Sequence, residues 1–144
     1  MELSECKAQF QNEHYEVLKS LFISPRVRTN ENTFDLGYAF SYELGPMENN
    51  ENIIKGAVKL DVKCYPEEKG VDATIIDTTL FGVFNGKGFE EERFKELLEL
   101  NGLTFLMQIA RTHIISMTSM AGCNPIVMPM INVHDLIKKH NEAR

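Results

Sequence analysis

The sequence predicts an α+β domain: a four-stranded antiparallel sheet followed by a long helix and a short C-terminal helix. Three observations carry this. Two stretches, "TFDLGYAFSYEL" (33–44) and "IKGAVKLDVKC" (54–64), alternate apolar and polar residues with a period of two. A later stretch, from Leu103 to Met120, repeats apolar residues at three and four. The strands come first and the helices after, the order of a sheet covered by helices rather than of alternating βα units.

In the first alternating stretch Phe34, Leu36, Tyr38, Phe40, Tyr42 and Leu44 share one face. In the second, Ile54, Val58, Leu60, Val62 and Cys64 alternate with Lys55, Ala57, Lys59, Asp61 and Lys63. This is the pattern of strands with one buried face. "GPMENNEN" (45–52) joins them with turn residues, which predicts antiparallel pairing. A further strand is expected in "VDATIIDTTLFGVF" (71–84), after the turn signal "PEEKG". It is β-branched and apolar on both faces toward its end, so it belongs at the centre of the sheet. A weaker first strand is expected in "CKAQFQNEHYEVL" (6–18), followed by a long connection that Pro25 keeps irregular.

Helical spacing begins at "FEEERFKELLEL" (89–100), where Phe94, Leu97 and Leu98 form a stripe and the acidic first turn suits the helix dipole. Asn101-Gly102 predicts a break or kink. Leu103, Leu106, Met107, Ala110, Ile114, Met117 and Met120 then predict one long amphipathic helix ending at Gly122. Pro125 and Pro129 hold "NPIVMPM" (124–130) extended, and "NVHDLIKKHNEAR" (132–144) is the short final helix.

The 144 residues fit one domain, able to bury roughly 70% of its unfolded surface. A net charge of −6 leaves no basic stripe for phosphates, so nucleic acid is not an expected partner. The apolar window 103–120 carries Gln108, Arg111 and His113 and is not a membrane span. Cys6, Cys64 and Cys123 lie far apart, with no CxxC and no signal peptide, which predicts a reducing, cytoplasmic setting.

No catalytic constellation, metal site or cofactor is expected. "GVFNGKG" (82–88) follows a strand and precedes a helix, as a phosphate loop does. However, Gly82 and Gly86 are one residue too close, and Gly88 replaces the hydroxyl residue after Lys87. A glycine-rich strand exit is the better reading. His14, His113, His134 and His140 lack ligand spacing, and Ser116 and Ser119 sit within a helix rather than on a sharp turn. Asp77 interrupts the apolar run "IIDTT"; it is an acid on an exposed sheet face, a docking contact or a buried pair.

The C-terminal third carries Ala110-Arg111 in the long helix, then Ile114 and Ser116, then Gly122 to Pro125 at the helix exit. This order resembles the SecB export chaperones, which have an Ala-Arg pair in the long helix, then Ile-x-Ser, then a Gly-x-x-Pro helix exit. "INVHDL" (131–136) is similar to the start of their last helix, and Ile75-Ile76-Asp77-Thr78 before Gly82-Val83-Phe84 resembles their last strand. The likeness covers about two thirds of the chain. One residue is inserted before Gly122, Pro129 falls earlier than its counterpart, and the family's tryptophan is missing. The chain thus looks like a divergent SecB-like protein, such as one of a Gram-positive family with that fold, forming a single SecB-like domain over 1–144.

The resemblance implies ATP-independent binding of unfolded or apolar polypeptides in a groove between the first connection and the linker before the last helix. On this chain the groove residues would be Phe22, Ile23, Met128, Met130 and Ile131. Five of the seven methionines (Met107, Met117, Met120, Met128 and Met130) fall in 104–136, and methionine repacks around varied ligands. Met107, Met117 and Met120 at helical spacing suit a core or subunit interface; for Met128 and Met130, groove and plain packing both stand. The family's docking of a translocation ATPase on an acidic sheet face would map to Ile75 and Asp77. Assembly as a homodimer or homotetramer is implied as well. The alternative is an adaptor with one protein client.

Overall fold

The computed structural model describes residues 8–24, 35–122 and 124–143. Its strands are β1 (Phe10–Phe22), β2 (Leu36–Leu44), β3 (Glu48–Asn50), β4 (Ile53–Pro66) and β5 (Ile76–Lys87). All pair antiparallel in the order β1-β5-β4-β2, with β3 also on β4. The four expected strands are present, and the last of them is central, between β1 and β4. The fifth, β3, lies in what the sequence reads as turn. Asn50 pairs with Ile53 across Glu51-Asn52, whose φ values of 47° and 71° make a tight two-residue hairpin.

Two strand boundaries differ from expectation. β5 starts at Ile76 rather than Val71, because Gly70 at φ 68° turns the chain into a 3-10 turn over Val71–Ala73. β1 lies further along than 6–18 and is bulged between Asn12 and His14 and between Val17 and Lys19. Each bulge shifts the alternation by one residue. Phe10, Asn12, Tyr15, Val17, Ser20 and Phe22 therefore lie opposite Gly86, Phe84, Gly82, Leu80, Thr78 and Ile76 on one face. A period-two search sees only fragments of that set. Cys6, Lys7 and the connection 25–34 lie outside the described residues.

The helices are α1 (Glu91–Leu97), α2 (Leu103–Met120) and α3 (Val133–Glu142). At Asn101-Gly102, where a break or kink is expected, the chain makes a π-helical turn over Leu98–Gly102 that carries α1 into α2, so the helix does not end there. The wide turn brings Leu98 and Leu103, five residues apart, onto the same buried side, both fully covered. Gly102 keeps helical angles, and a side chain there would start 3.0 Å from Val58 Cγ2. Glycine thus allows a close approach to the sheet here rather than a stop.

The core lies between this helix and one sheet face. Ile54, Val58, Leu60, Val62 and Cys64 of β4, and Ile76, Leu80 and Phe84 of β5, meet Phe94, Leu98, Leu103, Leu106, Met107, Ala110 and Ile114. Burying each large side chain contributes about 1.5–3 kcal/mol. The exposed Arg93–Glu96 pair contributes at most about 0.5. Packing therefore holds the layers together. In "GVFNGKG" the strand runs through Gly82 and Gly86 to Lys87, and Gly88 at φ 78° ends it. A Cβ on Gly86 would sit 2.6 Å from Phe89 and 2.8 Å from Phe94, so this glycine makes room for the aromatic lid of α1.

Cys64 faces Tyr38 across β2 and β4, and no water reaches it. Burial pushes the Cys64 thiol up to about 11, partly offset by the hydrogen bond with Tyr38. Burial, with the neighbouring thiol, raises Tyr38 to about 12. Above pH 9 the unfolded thiol loses its proton while the folded one keeps it. Stability should therefore fall as pH rises from 9 toward 11, by on the order of 2 kcal/mol from this group. Urea unfolding across that window checks the slope, which Cys64→Ala should reduce but not abolish, because burial of Tyr38 still contributes above pH 10.

Candidate functional site

After α2 the chain reverses along its own helix. Gly122 at φ 78° donates its N–H to Ser119 O and closes the helix end. Proline bars the linker from forming its own helical bonds, so its buried backbone groups need partners elsewhere. Two side chains of α2 supply them. Thr118 Oγ1 accepts the N–H of Ile126 at 2.9 Å while donating to Ile114 O at 2.8 Å. Arg111 Nε donates to Met128 O at 2.9 Å.

Thus held, the linker alternates. Ile126 and Met128 are buried at 7% and 1% exposure, while Val127 is 53% exposed and Met130 87%. The Asn132 side chain then caps α3, accepting from the Asp135 N–H at 3.2 Å. His140 of α3 stacks on Tyr42 with centroids 4.1 Å apart, and the Tyr42 hydroxyl donates to Glu99 at 2.9 Å. The last helix is thereby tied to both the sheet and the π turn.

The expected groove residues fare differently. Met128 belongs to the core, because the bond from Arg111 pulls its backbone in and turns its side chain under the linker. Its side chain is closed to a client in this arrangement. Met130 is almost wholly exposed, and Ile131 is half-buried against the core. Phe22 is half-buried at the end of β1, opposite Ile76; Ile23 is 55% exposed, its N–H donated to Ile75 O at 2.8 Å. The connection that would form the other wall, 25–34, lies outside the described residues.

On the docking side, Ile75 is buried and leads into β5, its N–H on Cys64 O at 2.9 Å. Its side chain is therefore not offered to a partner. Asp77 stands on the sheet face opposite the helices, in an ion pair with Lys19 at 2.6 Å, and its side chain is only 15% exposed. On the same face the Thr79 hydroxyl donates to Asp61, and toward the other end of β5 Lys55 pairs with Glu13 at 3.3 Å. This face mixes both signs of charge.

At the far end of α2 the methionines leave the core. Thr118 takes the buried position and Met120 is 89% exposed. Met117 instead meets β1: Ser20 Oγ lies 3.0 Å from Met117 Sδ and 2.8 Å from His113 Nε2. A hydroxyl has one proton to give. If Ser20 donates to the sulfur, His113 must donate through Nε2. Among the described residues no three His, Cys, Asp or Glu side chains converge as metal ligands. No described helix is long and apolar enough to cross a membrane.

Sequence reasoning singled out the linker but missed Arg111 and Thr118 as its anchors. The signal was a polar residue on each buried helix flank beside a segment whose prolines deny it helical bonds. Their role sets a test that separates the two methionines. Met128→Ser should lower stability by about 2–5 kcal/mol. Met130→Ser should stay within about 0.5 kcal/mol of the parent. Thermal melting of the two single variants checks both.

No family model and no curated protein matches the sequence. The structure is similar to that of the Mycobacterium tuberculosis Rv1957 SecB-like chaperone, solved in complex with a ChAD peptide from the Rv1956 HigA1 antitoxin. The TM-score is 0.57, over 86% of this chain and 91% of that one, at 11% identity. At that identity the likeness is one of fold. The antiparallel sheet, the long helix, the proline-held linker and the short capped helix together make this a SecB-like fold.

Proposed function

We propose that this protein binds apolar, unfolded polypeptide segments without ATP, as a chaperone. The observation that carries the reading is the pinned linker, whose outward residues Val127 and Met130 stay exposed while its inward residues fasten it to the core. Apolar side chains held out on a fixed backbone suit a client that brings its own apolar surface. The fold supports the reading, since a structure with this fold was solved with a peptide bound. That peptide comes from one antitoxin, which favours a second reading: an adaptor with a single client. Either role is proposed for the cytoplasm, where a buried free thiol such as Cys64 persists. Docking to a translocation ATPase through Asp77 is not part of the reading, because Lys19 already occupies that carboxylate.

Self-association belongs to the same proposal. Among the described residues β1 ends the sheet with one edge unpaired, and it exposes Tyr15, Val17, Leu18 and Leu21. An edge this long and apolar is a template for another chain. Light scattering at micromolar concentration should give two or four times 16.5 kDa, and a clean monomer would remove this part. For the binding itself, a panel of unrelated unfolded proteins is titrated with and without ATP. Binding of several, unchanged by ATP, supports the chaperone; one tight client supports the adaptor. Binding of none sinks both.

A further inference from the structure

We infer that the backbone of Val127, through its N–H and C=O, is the point at which an extended client segment docks. This rests on the polypeptide-binding reading above and says how recognition occurs. The alternation of buried and exposed residues from Ile126 to Pro129 is that of an extended chain. In such a chain the N–H and C=O of one residue leave along the same edge, and those of the next leave along the opposite edge. Thr118 takes the Ile126 N–H and Arg111 takes the Met128 C=O. The edge bearing Ile126 and Met128 therefore faces α2.

The opposite edge belongs to Pro125, Val127 and Pro129. Both prolines lack an N–H, so Val127 holds the only donor among these three residues. Its N–H and C=O have no hydrogen-bond partner among the described residues. One donor and one acceptor on a single residue, between two positions that offer only carbonyls, fit one residue of an extended peptide in a doubly bonded antiparallel pair. The exposed Val127 and Met130 side chains then meet apolar side chains of the client. The prolines do a second thing: they stop the pairing from spreading, so the linker captures an extended segment without templating a growing sheet. The ligand class is an extended, apolar, proline-poor peptide, bound by its backbone at one residue and by its side chains alongside.

Substitution by proline isolates the N–H. Val127→Pro removes that donor and spares the bonds to Thr118 and Arg111, and an extended position tolerates proline's fixed φ. The probe is a fluorescein-labelled, unstructured peptide of about nine residues, rich in Leu, Val and Phe, followed by anisotropy. Val127→Pro should weaken binding about three- to tenfold, the worth of one net hydrogen bond. Val127→Ala, which trims the side chain and keeps the N–H, should weaken binding less than Val127→Pro does, and both variants should melt like the parent. On the parent protein, N-methylation of the peptide amide that faces the Val127 C=O should weaken binding, while N-methylation of the amide on either side of it, which points away from the linker, should be tolerated. Parent-like affinity in a folded Val127→Pro variant, or uniform tolerance of N-methylation, overturns the inference and leaves the polypeptide-binding reading standing. If Val127→Pro melts early, the N-methylation series on the unaltered protein decides. Failure of the parent to bind this peptide or any unfolded protein removes both.

Discussion

Everything in this molecule hangs on how closely one helix can lie on one sheet. The π turn over Leu98–Gly102 presses against β4 and β5, where Gly56, Gly82 and Gly86 hold the sheet surface low. A Cβ on Gly56 would lie 2.7 Å from Leu98, so the helix sits where an ordinary side chain would stand. Interiors pack near crystal density, and the gain from burying Phe84, Phe94, Leu98, Leu103 and Leu106 depends on that approach. Lift the helix by a methyl group and the dispersion contacts fade across the whole seam.

The position of the linker follows from the position of the helix. Because α2 is seated with Ala110, Ile114 and Thr118 inward, Arg111 and Thr118 reach toward the chain that returns beside it. A proline-broken segment brings backbone groups it cannot satisfy itself. Burying them unpaired would cost about 1–3 kcal/mol each, comparable to what Met128 gains by burial. The two side-chain bonds let Ile126 and Met128 go under while Val127 and Met130 stay out. A polar accounting problem inside the fold is thus what creates an apolar feature outside it.

The opposite face of the sheet follows a different logic. No described helix covers it, and its charges are arranged in pairs: Lys19 with Asp77, Lys55 with Glu13. Exposed pairs add at most about 1 kcal/mol each, so they decide little about stability. Their effect is on partners. A carboxylate already held by a lysine offers less to an incoming cation than a free one does, and the mixture of signs steers no strongly charged ligand.

Much of the architecture was legible because period is local. The alternation in β2 and β4, the repeat in α2 and the prolines of the linker each announce an element whatever surrounds them. β1 was half-legible, since two bulges scramble its period and only pairing with β5 shows which residues share a face. Gly102 marked the irregularity but not its kind, because a glycine in a helical run reads the same whether it ends the helix or lets it touch a sheet. Met128 and Met130 show the limit most plainly. Two residues apart, of one type, in one proline-framed stretch, they are indistinguishable by composition, yet one is core and the other solvent. By itself the sequence determined that the linker would be extended and apolar, because proline geometry is a property of the residue. Which methionine turns inward was decided only in the tertiary structure, because it depends on the hydrogen bonds the linker makes with Arg111, which donates, and Thr118, which accepts, residues that become neighbours of the linker only when the chain folds back on its helix.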